Sequence, residues 1–262
     1  MKNLKNQLQH INGEFYSWIT DLIKNNQSKI DNQSSVILYN IIQTFFADRE
    51  HGKVMQFLEH KLKYLELSDL ESLPVIQCLK LSSSQLFEES PLCNFFTSLR
   101  QDFEFTGNTN DHVADRKDLF SMDEEGRDEI IAEIIESAHL STDLLNLPLL
   151  RDLSDIDVLY LQTAMLEAYE KYDLPMGNSL LRTLCYLGKV NLAADAAINY
   201  LLAQQNIIGY FGQTLHDQEM NSADDFLAFL DLQFDCLWSL NEAGNQNFSL
   251  MESIRQEYGF VL

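Results

Sequence analysis

Two histidines in this chain stand beside carboxylates. His112 lies in the run Asp111-His112-Val113-Ala114-Asp115, and His216 in Gly212-Gln213-Thr214-Leu215-His216-Asp217. An imidazole next to carboxylates becomes more basic and can exchange a proton near neutral pH, which makes His112 the general-base candidate and His216 with Asp217 a second acid-base pair. Both runs read as polar loops, and the competing reading of each is a solvated turn histidine. His139, near the C-terminus of a helix, is read as a dipole partner, and His10, His51 and His60 are expected at the surface. Asp224-Asp225 with Asp231 has a superficial likeness to a magnesium-binding aspartate motif. The third carboxylate of such a motif would have to stand where this chain has Ala228. The pair is therefore expected to charge the first turn of a helix, and no metal is expected. No Ser stands in GxSxG, no Cys has a nearby His, and neither GxGxxG nor GxxxxGK occurs, so neither a catalytic nucleophile nor a nucleotide cofactor is expected.

Seven of the 10 tyrosines lie beyond residue 123. Tyr186, Tyr210, Phe211 and Trp238 are the candidates for lining an apolar ligand cavity between helices. The helical spacing of Phe226, Phe229, Leu230, Phe234 and Leu237 favours the alternative, plain core packing.

The elements that would position these residues are helices throughout. Apolar residues recur at helical spacing from Leu4 to Phe260, and only 10 Gly and 4 Pro interrupt 262 residues. The face formed by Leu4, Leu8, Ile11, Phe15, Trp18, Ile19 and Leu22 predicts a first helix to Asn25, followed by a loop to Asn32. Ser34 or Ser35 is the expected cap of a second, Ser68 or Asp69 of a fourth, and Pro91 is expected to open another. Periodicity lapses over 106–123, which is read as a linker or long loop between an N-terminal half, 1–105, and a C-terminal half, 124–262. Acidic residues at 123–125 and Ser154-Asp155-Ile156-Asp157 mark two helix starts, and further helices are predicted over 179–187, 192–204, 223–243 and 250–258. The fold class is all-α: about 10 to 12 helices in stacked αα-hairpins, forming an incomplete toroid or a curved array.

Charge narrows the partners. Forty acidic residues against 18 basic give a net charge of −22, which repels a phosphate backbone or an anionic bilayer at long range. Direct nucleic-acid or membrane binding is thus not expected. A basic protein partner, a cationic substrate, or imitation of a phosphate array is compatible with it, as is simple solubility. Cys78, Cys93, Cys185 and Cys236 form no CxxC pair and sit in apolar helical stretches, as reduced thiols do in a cytoplasm. No apolar signal segment or membrane span is read, and a soluble cytoplasmic bacterial protein is expected.

The segment from Tyr200 to Gly212, in which a helix closes on Gln204-Gln205 and a turn carries Gly209-Tyr210-Phe211-Gly212, resembles the helix-end motif of α/α-toroid proteins such as squalene-type terpene cyclases and prenyltransferase β subunits. The stretch from Leu149 to Gly244, with Cys185-Tyr186-Leu187-Gly188, is also similar to uncharacterised bacterial helical proteins. The DxDD acid signature of the cyclases and the Asp, Cys and His zinc set of the prenyltransferases are absent, so the resemblance implies a toroid without those chemistries. The function expected first is a non-catalytic accessory protein that binds a protein partner. Two alternatives stand beside it: an enzyme of specialised metabolism holding an apolar or cationic molecule in a central cavity, and an inhibitor that mimics a nucleic acid. Exposed Leu and Phe could also form a homodimer face.

Overall fold

The computed structural model describes residues 2–82, 84–87, 90–106, 124–140, 154–187, 192–212 and 223–245. Among them are eleven α-helices: α1 (Lys2–Asn25), α2 (Asn32–Phe45), α3 (Gly52–Leu62), α4 (Leu67–Glu71), α5 (Val75–Ser82), α6 (Cys93–Thr106), α7 (Glu124–Leu140), α8 (Asp155–Glu170), α9 (Leu174–Tyr186), α10 (Leu192–Gln204) and α11 (Ala223–Asn245). No strand occurs among the described residues, only an isolated antiparallel bridge between Gln205 and Phe211. The chain is all-α. Its contacts divide it into two compact units, one built from residues 1–101 and 203–237, the other from 102–202 and 238–262.

In the first unit α2 is the buried helix. Val36, Ile37, Leu38, Ile41 and Ile42 are fully covered, with α3, α4 and α5 packed against them. Its cap is Asp31, whose Oδ1 accepts from the Ser34 amide at 2.8 Å, not Ser34 or Ser35 themselves. Both serines are buried within the first turn, where Ser35 Oγ donates back to the Asp31 carbonyl at 2.6 Å. Asn40 Nδ2 donates to Gln77 Oε1 at 2.8 Å, and Gln77 Nε2 to Asp231 Oδ1 at 3.0 Å. α1 buries Leu8, Ile11, Phe15, Trp18, Ile19 and then Ile23; Leu22, expected on that face, is half-exposed because the row of every fourth residue from Phe15 ends on Ile23. His51, expected at the surface, is half-buried, with Nδ1 3.2 Å from the Tyr16 hydroxyl. The fourth helix begins one residue earlier than its expected cap: Asp69 lies inside α4 and accepts from the Glu66 amide at 2.9 Å. α6 starts at Cys93, two residues after Pro91.

In the second unit α8 and α7 pack against α9. Ser154 Oγ caps α8 by accepting from the Asp157 amide at 3.1 Å. α8 closes on Tyr172 at φ +65°, with the Asp173 amide donating to the Ala168 carbonyl at 2.8 Å and the Tyr172 amide to the Tyr169 carbonyl at 3.1 Å. This is the 6→1 and 5→2 closure that usually uses Gly at the left-handed position. α9 starts at Leu174 rather than Ser179, because Asp173 Oδ1 accepts from the Met176 amide at 3.2 Å and Pro175 falls in the first turn, where no amide is needed.

The α8–α9 seam depends on a glycine. A Cβ on Gly177 would lie 2.6 Å from Tyr169 Cε1, and that ring is buried and pinned by its hydroxyl to Asn178 Oδ1 at 3.0 Å. Alanine would gain about 1 kcal/mol of helix propensity, yet the ring cannot retreat and overpacking costs typically 1–3 kcal/mol. Gly177→Ala is therefore expected to lower the urea midpoint of unfolding. A midpoint at or above wild type would show that the seam has room.

Candidate functional site

The buried polar groups of the second unit converge between α9 and α11. α9 places Arg182, Cys185 and Tyr186 on one face by three- and four-residue spacing, and α11 does the same with Trp238, Ser239 and Glu242. Arg182, 4% exposed, donates from Nη1 to Ser239 Oγ at 2.6 Å and holds its guanidinium 4.3 Å from the Trp238 ring centre. The Tyr186 hydroxyl donates to Glu242 Oε2 at 2.5 Å. Glu242 is 2% exposed, and its Oε1 makes no hydrogen bond of regular geometry among the described residues.

Burial pushes the Glu242 carboxyl above its ordinary value, against the Tyr186 hydroxyl, the Trp238 indole and the Arg182 charge, which all favour the ionised form. Burial likewise pushes the Cys185 thiol up to about 12, with the Glu242 carboxylate adding to the rise and Arg182 opposing it. Burial alone takes Cys78 to about 11. Neither sulfur is a thiolate at neutral pH, so neither is a ready nucleophile. The cluster sets a buried carboxyl, raised by burial, among an aromatic wall, a hydroxyl donor and a guanidinium that oppose the rise.

A carboxyl whose folded pKa exceeds its unfolded value stabilises the fold below about 4.3, the unfolded value, and that stability is lost as pH rises through the folded value. Wild-type stability relative to Glu242→Gln is therefore expected to fall as pH rises from about 4 to 8, as read by paired urea titrations. A difference that stays flat, or grows with pH, would mean that Arg182, Tyr186 and Trp238 outweigh burial.

Of the candidate ligand-binding aromatics, Tyr186 and Trp238 meet in this cluster. Tyr210 and Phe211 belong to the first unit, where both are fully buried. Tyr210 lies 5.4 Å from Trp18 and 5.6 Å from Phe229, and Phe211 lies 5.9 Å from Phe15, ring centre to ring centre. They form an aromatic core with α1 and α11. His112, His216 and Asp217 lie outside the described residues, as does the expected linker over 106–123 apart from Thr106, which is the last residue of α6. Asp224 and Asp225 stand in the first turn of α11, and Asp231 accepts from Gln77.

The turn after α10 is tied down at each polar position. Gln205 Nε2 donates to the Gly209 carbonyl at 2.7 Å and to the Ile11 carbonyl of α1 at 3.0 Å. Asn206 Oδ1 accepts from the amides of Ile208 and Gly209 at 2.9 and 3.0 Å. Gly209 adopts φ +113°, and a Cβ there would come 2.7 Å from the Glu14 carbonyl oxygen, so only glycine fits. Buried Gln233 closes the arrangement by accepting from the Phe211 amide at 2.8 Å and donating to the Phe211 carbonyl at 3.1 Å.

Arg182, Glu242 and Gln233 were not singled out by sequence reasoning. Only Arg182 carried a signal, as a lone charge in the apolar run Leu180-Leu181-Arg182-Thr183-Leu184; Gln233 lies between Asp231 and Asp235, and Glu242 follows Asn241, so neither stands out. Among the described residues no three or more His, Cys, Asp or Glu are grouped to hold a metal ion, and no helix is long and apolar enough to cross a membrane. No protein-family model, no curated protein and no solved structure matches the chain.

Proposed function

We propose that this chain is a non-catalytic helical interaction protein that presents an acidic surface to a basic protein partner. The observation that carries the reading is where the charge sits. Residues 102–202 and 238–262 hold 8 Lys and Arg against 23 Asp and Glu, a balance of −15 out of the total of −22. A field of that sign speeds encounter with a cationic surface and opposes nucleic acid and anionic lipid. The polar groups buried in the same unit support a structural role for its interior: Arg182, Ser239, Tyr186 and Glu242 bond one another. The helical hairpins serve as scaffold, and the turn that resembles a toroid helix-end serves as a local clamp.

The test is affinity capture from native cell extract on the immobilised full chain, at low and at high salt, with mass spectrometry of retained proteins and small molecules. A basic protein held at low salt and released near 1 M salt, where the screening length falls to about 3 Å, is the expected result. No retained protein, or retention indifferent to salt, would overturn the reading. A small molecule that co-purifies instead would favour the cavity enzyme.

A further inference from the structure

α8 is apolar on two sides. One face, Val158, Leu161, Met165, Ala168 and Tyr169, is buried. On the opposite side Ile156, Leu159 and Leu166 are 54%, 62% and 41% exposed. With the exposed Thr163 they fall at successive steps of three, four and three residues, the a and d positions of a heptad seam. Thr163 Oγ1 donates to the Leu159 carbonyl at 2.9 Å, so its hydroxyl is satisfied within the helix and its methyl completes the stripe. At 1.5 Å per residue the stripe runs about 15 Å, enough to seat two turns of a second helix. Exposed carboxylates edge it: Asp155 on one side, Glu167 on the other, and Glu170 at its end. In a coiled-coil contact such flanking positions choose the partner by charge.

We infer that the outer face of α8 docks an amphipathic helix of a protein partner, with apolar residues at its own seam and Lys or Arg along the edges. This rests on the interaction reading above and assigns it a surface. Charge complementarity selects the occupant. Lys or Arg would neutralise Asp155, Glu167 and Glu170, whereas a second copy of this chain would bring the same acidic edge, on a unit of balance −15, against itself. An acidic helix would meet the same repulsion.

The probes are two synthetic helices of about three heptads with the same Leu and Ile seam, one carrying Lys and the other Glu at the flanking positions. Binding to the full chain is read by fluorescence anisotropy. The Lys helix is expected to bind, the Glu helix to bind at least tenfold more weakly, and the Leu159→Glu, Leu166→Glu double variant to lose tenfold or more of the Lys-helix affinity. Both substituted positions are solvent-exposed, and circular dichroism and thermal melting of the variant should match wild type. A Thr163→Glu variant provides an independent break of the stripe if the double variant melts early.

Equal binding of the two helices, binding by neither, or affinity unchanged in folded variants would overturn the inference. So would a wild-type dimer in sedimentation that the double variant abolishes, since a second copy would then be the occupant. If the double variant still captures a salt-sensitive basic protein from extract, this surface fails while the interaction reading stands. If wild type captures none, that reading itself fails.

Discussion

Arg182→Met is expected to lower the free energy of unfolding at neutral pH by about 3–5 kcal/mol, the range for removing one partner from a buried charged cluster. Methionine replaces most of the volume, so the loss is electrostatic and not a cavity effect. Arg182 is the cation that favours the ionised form of Glu242, and it also bonds Ser239 and stacks on Trp238. Without it the carboxylate keeps the Tyr186 hydroxyl but loses the balancing charge in a site with almost no access to water.

The carboxyl has an escape, which is to take up a proton, and this gives the prediction a second signature. With Arg182 gone the folded pKa of Glu242 rises further, so the penalty is largest at neutral pH and shrinks as pH falls toward about 4.3, the unfolded carboxyl value. Urea titrations at several pH values should show that convergence. The Arg182→Met, Glu242→Gln double variant should recover more than half of the loss at neutral pH, because the neutral amide needs no counter-charge. A loss below about 1 kcal/mol, or one independent of pH, would mean that the carboxyl is already neutral in the fold and that Arg182 serves only Ser239 and Trp238.

The helical character was legible because local rules write it. Ser154 followed by Asp157 announces the start of α8, and the cap bonds are there. Where two local readings competed, the sequence could not choose. Pro175 reads equally as the stop of one helix and the first turn of the next, and Asp173 decides only once its bond to the Met176 amide is seen. At the start of α2 Asp31, Ser34 and Ser35 all carry the oxygen a cap requires, and burial of both serines selects the aspartate.

The interior polar clusters were legible only in half. A lone Arg182 among leucines signals that something must receive it, yet Ser239 and Glu242 lie on a helix far along the chain, and no periodicity connects them. The grouping of residues 203–237 with residues 1–101 is of the same kind. Within it, long-range contacts such as Gln205 to the Ile11 carbonyl, Gln77 to Asp231, and Trp18 against Tyr210 join segments that no local pattern connects. The α8 stripe was open to reading in the residues Ile156, Leu159, Thr163 and Leu166. What the sequence lacked was which of the two apolar faces of α8 would be covered.

The second large effect is expected at Gln233. Its amide bonds both backbone groups of Phe211, and both residues are fully buried. Leucine has nearly the same shape but neither donates nor accepts, so Gln233→Leu orphans one buried N–H and one buried C=O. Each such group costs about 1–3 kcal/mol, which sets the expected loss at about 2–6 kcal/mol. Gln233→Glu separates the two bonds: an ionised carboxylate still accepts from the Phe211 amide but meets the carbonyl oxygen with a second acceptor. When protonated it can donate again. Its folded pKa must then stand above the unfolded value, so its stability should approach wild type in acid and fall away as pH rises through the folded value. Urea midpoints and the hydrogen exchange of the Phe211 amide report the two effects separately. Exchange of that amide should quicken in the Leu variant and stay slow in the Glu variant at low pH. If the Leu variant loses less than about 0.5 kcal/mol, the turn after α10 is held by Gln205 and Asn206 alone, and Gln233 is a passenger in the aromatic core.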